Sequence, residues 1–471
     1  MSLFLQALKT KDIRTENDMP THSTSGSGLV DFFGLVGGAR KLNDIQITNA
    51  FGKAFSEDAD KAMKLLFWAR DVRGGAGERR AFRVILHALA KYHPEALRRN
   101  LKYVPEYGRW DDLLELVDTS LERDAFDVIV NGLREGDRLC AKWMPRKGLV
   151  AAKLRDYAKL TPKQFRKLLV HLTHVVETPM CKDQYSKIEY DKLPSLAAAR
   201  YQNAFRRHDP ARYEAYIASL KSGEAKINAG AIYPYDIVRS LFCGQADVAD
   251  EQWKALPDYM EGSEFQRILP LVDTSGSMTC RVSGQITALD VAVSLGIYLS
   301  ERNRGVFKDH FLTFSERPQL QHLTGKLSQR VRQLRTAHWE FTTNLLAAFD
   351  QMLRHAQTNA VPVDEMPQMV MILSDMQFDH CIQDRNDTAL QGIRKRYAAA
   401  GYSMPKVIFW NINGRADQSP VQVRDRNTAI VSGFSPSIMK YVLNQSNLEK
   451  LTPYGMMMEV VNSPRYAAIA A

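Results

Sequence analysis

The sequence predicts a chain in two regions: an α-helical first part, then an α/β part built on a mostly parallel sheet with helices on both faces. Three observations predict it. Apolar residues recur at three- and four-residue spacing from about residue 46 to 250. From about residue 263 short apolar runs alternate with helical segments. The first of those runs, FQRILPLVDTSGSM, ends in a Ser/Gly turn, as a buried strand feeding a loop does.

Residues 1–45 are rich in Ser, Thr, Gly and Asn, and no period persists, so they read as a flexible segment or one docked by Leu29, Phe32 and Phe33. Residues 46–262 form the helical region. Ala62, Leu65, Leu66 and Ala69 share one helical face, and Phe82, Ile85, Leu86 and Leu89 share another. Thr161-Pro162 and Asp209-Pro210 read as an N-cap followed by proline at the first helical position. No repeat period is strong enough to name a repeat class. Residues 263–471 form the α/β region. Helices are expected at 287–302, 343–355 and 386–400, and strands at 310–314, 368–374, 406–411 and 428–431, with 319–323 as a hairpin partner. Ligands of such sheets bind at the carboxyl ends of strands.

The 471 residues are 45% hydrophobic and 25% charged, as in ordinary globular proteins. No apolar run approaches the roughly 18 residues of a membrane helix, and MSLFLQALKTKD does not read as a secretory signal. Membrane partners, a disordered polymer and a disulfide-built mini-protein are therefore excluded as expectations. Cys140, Cys181, Cys243, Cys280 and Cys381 are scattered without a C-x-x-C pair, which argues against a zinc ribbon. They fit reduced, mostly buried thiols and a cytoplasmic setting.

The net charge of +10 is unevenly placed. Residues 138–212 hold 17 Lys and Arg against 6 Asp and Glu, an excess as large as that of the whole chain. Trp143, Tyr157, Phe165, Tyr185, Tyr190, Tyr201 and Phe205 are interleaved there. Two readings are open. Such a surface can hold phosphates and stack unpaired bases, or the helices keep a basic face in water and bury their aromatics. For RNA the candidates are Lys142, Arg146, Lys147, Lys153, Arg155, Lys163, Arg166, Lys167, Arg206 and Arg207.

The motif Arg70-Asp71-Val72-Arg73-Gly74-Gly75-Ala76-Gly77-Glu78-Arg79-Arg80 lacks the Gly-Lys-Ser/Thr ending of a phosphate loop and follows a helix. Its glycines permit a tight link between helices. Arg73, Arg79 and Arg80 can grip phosphate, or the motif's arginines pair with Asp71, Glu78, Asp111 and Asp112 to pin helices together. Ser275 has no G-x-S-x-G elbow, and nothing completes a zinc site around His171 and His174. No enzyme is expected.

Asp273, Ser275 and Ser277 lie directly after a buried strand, Thr343 just before a helix, and Asp375 at the end of another strand. These are hard oxygen donors suited to Mg²⁺, Mn²⁺ or Ca²⁺. Here the chain resembles a von Willebrand factor A domain with its metal-ion-dependent adhesion site. By that resemblance Asp273, Ser275 and Ser277 form the first metal loop, Thr343 is the later threonine and Asp375 the closing aspartate. The family's Gly-Gly before that threonine is replaced by Phe341-Thr342. The resemblance implies a divalent cation, Mg²⁺ foremost, that captures an acidic side chain of a protein partner.

LFWARDVRGGAGERRAF, YVPEYGRWDDLLEL, KWMPRK, DTSGSM and SDMQFD together resemble a family joining a helical region to a von Willebrand A-like domain. That layout is similar to the Ro autoantigen (TROVE) proteins, whose helical repeats form a ring that binds RNA on a basic surface. The resemblance implies a HEAT/TROVE-like helical region and an RNA-binding function. The alternative is a metal-dependent protein-interaction adaptor without nucleic acid.

Overall fold

Residues 13–230, 232–241, 246–261, 267–314, 318–336, 343–379, 388–443 and 451–471 are described by a computed structural model. The first region is helical: α1 (Gly28–Val36), α2 (Asp44–Glu57), α3 (Ala59–Arg70), α4 (Arg80–Tyr92), α5 (Glu122–Arg134) and α6 (Arg138–Trp143). It continues through α7 (Leu149–Tyr157), α8 (Pro162–Leu172), α9 (Ser195–His208), α10 (Pro210–Ser222), α11 (Pro234–Leu241) and α12 (Ala246–Lys254). The expected α4 face of Phe82, Ile85, Leu86 and Leu89 is buried. Caps set the starts: Asn43 and Thr161 make reciprocal capping boxes with Gln46 and Gln164, and Asp58 accepts from Lys61 N. Asp209 departs from expectation. Pro210 does open α10, but the Asp209 carboxylate makes no cap bond; it accepts from the Tyr190 hydroxyl and from Arg212, each at 2.9 Å.

The second region is a six-stranded sheet in the order β10–β9–β8–β3–β6–β7. Its strands are β3 (Ile268–Val272), β6 (His310–Thr313), β7 (Leu320–His322), β8 (Met369–Ser374), β9 (Lys406–Asn411) and β10 (Thr428–Ser432). All neighbours are parallel except the β6–β7 hairpin. Two small hairpins accompany it, β1 (Ile13–Arg14) with β2 (Pro20–Thr21), and β4 (Arg281–Ser283) with β5 (Ile286–Thr287). The helices are α13 (Ala288–Arg302), α14 (Leu327–Thr336), α15 (Leu345–Thr358), α16 (Ala389–Ala399) and α17 (Pro453–Val461). Every residue of β3 and β8 is buried, as expected of parallel strands covered on both faces.

Of the segment 1–45, the described residues 13–45 contain more structure than their composition suggests. Helix α1 is apolar nearly all round because it packs between β10 and α2, so it shows no amphipathic period. Ser27 caps it. It lies so close to the sheet that a Cβ on Gly37 would stand 2.2 Å from the Ser432 carbonyl oxygen. The main apolar core runs unbroken from Met19 to Ile469 across both regions. A smaller core, from Tyr185 to Val248, is centred on α9 and α10.

The Arg-Gly-Gly-Ala-Gly loop between α3 and α4 is a socket. The Asp71 carboxylate accepts from the backbone N–H of Arg73 at 3.0 Å, from Arg465 through two nitrogens, and from the Tyr466 hydroxyl at 2.9 Å. Beside it, Arg70 Nε meets Asp112 Oδ2 at 2.7 Å with both side chains out of water, and Arg83 Nε meets Asp112 Oδ1 at 2.7 Å. Removing one member of such a buried pair leaves an uncompensated charge. Asp112→Ala is therefore expected to lower the unfolding free energy by about 3–5 kcal/mol in urea denaturation. A loss below about 1 kcal/mol would mean that Arg70 is held by other groups.

Candidate functional site

Strands β3 and β8 are adjacent and parallel, with Val272 opposite Leu373. The Asp273 N–H donates to the Leu373 carbonyl at 2.9 Å. Both strands thus end at one level, and the side chains that follow them meet. Asp273 is fully buried and Asp375 nearly so. The first turn is held by the Ser275 N–H, which donates to Asp273 Oδ1 at 2.9 Å, and the Ser275 and Ser277 hydroxyl oxygens lie 2.9 Å apart. Ser374 donates to Asp273 Oδ2 at 2.5 Å. Asp375 Oδ1 accepts from the Gln377 N–H at 3.3 Å, while its Oδ2 is buried with no hydrogen-bond partner among the described residues.

Burial, and then the Asp375 charge, push the Asp273 carboxyl up to about 7. Burial also raises Asp375, against the pull of Arg415 and of the Gln377 N–H. Asp273, Ser275, Ser277 and Asp375 therefore form one cluster of hard oxygens. Thr343 is fully buried on the neighbouring loop. Its hydroxyl lies 2.7 Å from the Gln377 carbonyl oxygen and 3.0 Å from Asp379 Oδ1, and its N–H donates to Asp379 Oδ2 at 2.6 Å. Its contacts are thus with the 377–379 loop and with the Asn17 side chain. Phe341 and Thr342 lie outside the described residues. No group of three His, Cys, Asp or Glu side chains able to hold a metal occurs among the described residues. A cation here would have to rely on two carboxylates supplemented by hydroxyls.

Several participants were not singled out from the sequence, Gln377 among them. Ser374 and Asp379 flank Asp375 in the quoted run, and their positions at the strand end and one loop turn later are a usable signal. Glu16 and Arg415, which pair over the site, are 399 residues apart and carry none.

The basic candidates divide into two groups. Arg79 pairs with Asp111 at 2.9 Å, Arg80 with Asp44 at 2.5 Å, and Arg73 donates to the Glu106 carbonyl at 3.2 Å. Lys153 pairs with Glu122 at 3.0 Å, Arg155 with Asp156 at 2.9 Å and Arg206 with Glu214 at 3.3 Å. By contrast Lys142, Arg146, Lys147, Lys163, Arg166, Lys167 and Arg207 are exposed and make no ion pair among the described residues. Lys163, Arg166, Lys167, Val170 and His171 form one outward stripe on α8, opposite buried Phe165 and Leu169. The aromatics do not join that surface. Phe165, Tyr185, Tyr190 and Phe205 are core residues, the Tyr157 and Tyr201 hydroxyls bind Asp127 and Glu177, and Trp143 lies under Arg109.

Among the cysteines Cys140 is buried, with burial raising its thiol pKa, Cys280 is half-buried and Cys181 is exposed; all three are free thiols. The exposed Cys181 departs from the expectation of burial, and Cys243 and Cys381 lie outside the described residues. No described helix is long and apolar enough to cross a membrane.

Fold and site together define a helical region joined to an α/β sheet that carries two buried aspartates, neither in an ion pair among the described residues, at its carboxyl end. One family model, "Domain of unknown function (DUF2828)", matches residues 15–132 and 141–264, and another, "Domain of unknown function (DUF7788)", matches 268–464. Uncharacterized protein L728 of Acanthamoeba polyphaga mimivirus is 31% identical over 509 residues, covering 95% of this chain and 86% of the relative. The chain belongs to the DUF2828 family, with a DUF7788 match in its second half.

The raised Asp273 pKa has a definite sign. From about 4, where the unfolded carboxyl titrates, to about 7, the native state holds a proton that the unfolded state has lost. Stability therefore falls as pH rises through that window. In EDTA the thermal midpoint is expected to drop between pH 5 and 7.5, and Asp273→Asn to flatten that slope. An unchanged slope would assign the titration to another group.

Proposed function

We propose that this chain is an RNA-binding protein, similar in layout to the Ro autoantigen proteins, whose helical region holds RNA phosphates. The supporting observation is the outward face of α8, where Lys163, Arg166 and Lys167 stand exposed and unpaired among the described residues. The first turn of α8 contains no acidic residue. Lys163 there opposes the positive end of the helix dipole, a cost that a bound phosphate reverses. The exposed Lys142, Arg146, Lys147 and Arg207 extend the same chemistry, which suits sequence-tolerant binding through the backbone.

The test is a short single-stranded RNA titrated at several salt concentrations. Charge reversal at Arg146, Lys147 and Arg166 is expected to weaken binding at least about tenfold at low salt. It should also lower the slope of log affinity against log salt by about 2, the release expected for three phosphate contacts. Asp273→Ala should leave affinity within about twofold, since no phosphate contact is lost. RNA affinity indifferent to the three reversals would refute this reading.

A second reading, a metal-dependent contact with an acidic partner side chain, is favoured by the partnerless oxygen of Asp375. In it the second region is a von Willebrand A-like domain, and Asp273, Ser275, Ser277, Thr343 and Asp375 hold a divalent cation, Mg²⁺ before Mn²⁺ or Ca²⁺. Such a cation supplies an electrophilic point for an incoming carboxylate. Millimolar Mg²⁺ is then expected to raise the thermal midpoint at pH 7.5 more than at pH 5, with no rise in Asp273→Ala. Equal rises in both proteins would place the cation elsewhere.

A further inference from the structure

The carboxyl end of the sheet is covered by the chain's own β1–β2 hairpin. The hairpin is tightly folded: Thr15 N–H donates to the Met19 carbonyl at 2.9 Å and Asp18 N–H to the Thr15 carbonyl at 3.1 Å, with Asp18 at φ +66°. Its tip reaches the loop after β8 through specific hooks. The Thr15 hydroxyl donates to the Phe378 carbonyl at 2.7 Å, and the Glu16 N–H to Gln377 Oε1 at 2.8 Å. Asn17 Nδ2 donates to the Gln377 carbonyl at 3.0 Å and to the Thr343 hydroxyl oxygen at 3.3 Å. Both carboxylate oxygens of Glu16 face the Arg415 guanidinium, one at 2.8 Å from Nη2. Met19 is buried and lines a small cavity with Leu345, Phe378, Leu390 and Phe409.

The base of the hairpin is fixed, with Met19 and Pro20 buried and the Thr21 hydroxyl and His22 backbone bonded to Ser419, while its tip, Glu16, Asn17 and Asp18, is polar and exposed, as a recognition contact is. The Glu16 side chain is 58% exposed and Arg415 31%, so their exchange for another carboxylate in water is cheap. Beneath lie the buried carboxylate oxygen without a partner and the hydroxyls already described, at the end of the sheet where ligands of parallel α/β folds bind.

We infer that the surface formed by Arg415, Gln377 and the 375–379 loop is a protein-docking surface filled in cis by the β1–β2 hairpin. The partner that replaces the hairpin is a polypeptide turn that presents a carboxylate to Arg415 in the place of Glu16 and an apolar side chain in the place of Met19. Arg415 is the specificity-determining residue of this surface, because its planar fork reads a carboxylate through two nitrogens. The inference does not require a cation at Asp273.

The experiment uses the full chain and a fluorescently labelled, head-to-tail cyclised peptide of residues 13–22. Thr15→Ala/Glu16→Ala/Asn17→Ala in the chain removes the side-chain hooks of its own hairpin. That variant is expected to bind the peptide at least tenfold more tightly in fluorescence anisotropy than the unaltered chain, whose surface is filled. The same peptide carrying Glu16→Gln should lose most of the gain. Equal binding to both chains, binding to neither, or indifference to Glu16→Gln in the peptide overturns the inference. If circular dichroism shows that the triple variant is unfolded, Arg415→Glu replaces it. That chain should prefer the peptide carrying Glu16→Arg over the parent peptide, and no preference or the opposite one overturns the inference. Each titration is run in Mg²⁺ and in EDTA. Equal results in the two leave the docking surface standing and count only against a cation at the site.

Discussion

Asp71 ties the molecule together. Its carboxylate is fully buried, and its partners come from opposite ends of the sequence: the N–H of Arg73, two residues on, and the side chains of Arg465 and Tyr466. The surrounding loop is shaped to deliver these groups. A Cβ on Gly75 would stand 1.9 Å from the Trp68 carbonyl oxygen, so only glycine permits that approach. The Tyr441 and Ser437 hydroxyls close on the carbonyls of Gly74 and Gly75. Through this socket the segment after α17 is anchored to α3, and one apolar core can extend through both regions.

Two buried aspartates show how partners separate a matched charge from an unmatched one. Asp112 and Asp273 are equally removed from water. Asp112 is met by Arg70, Arg83 and the Arg109 N–H, so its charge is matched on every side. Asp273 is met by hydroxyls, an N–H and a second carboxylate, so its charge is not matched at all, and its carboxyl holds its proton toward neutral pH. Burial alone does not distinguish them; the sign of the nearest charge does. Burial first, and then a like neighbour, hold the Asp273 carboxyl above the usual carboxylate range.

What could be read in advance was local. The buried strands, the turn after Val272 and the spacing of Lys163, Arg166 and Lys167 each depend on residues within a few positions of one another. The α1 helix escaped because a segment packed on two sides has no polar face to set a period. The aromatics of 138–212 share a composition with stacking platforms, yet packing turned several of them inward, which no count reveals. The side-chain partners of Asp71 and of Arg415 lie nearly four hundred residues away. Nothing local marks Glu16 as a companion of Arg415, or Asn17 as a companion of Thr343. The split of the arginines, some matched by acids and some bare, likewise depends on how the helices stack.

The closure of Asp71 by residues 394 positions downstream also governs when the molecule can exist. At ordinary elongation rates of about 5–20 residues per second, about 20–80 s separate the emergence of Asp71 from that of Arg465. During that interval the helical region has left the ribosome with its socket open and the faces that later meet α17 uncovered. The first region therefore cannot complete its fold on its own schedule. A chain interrupted before residue 465 would leave Asp71 without its guanidinium and the surrounding apolar faces uncovered, and such a chain is a natural substrate for chaperones and proteases.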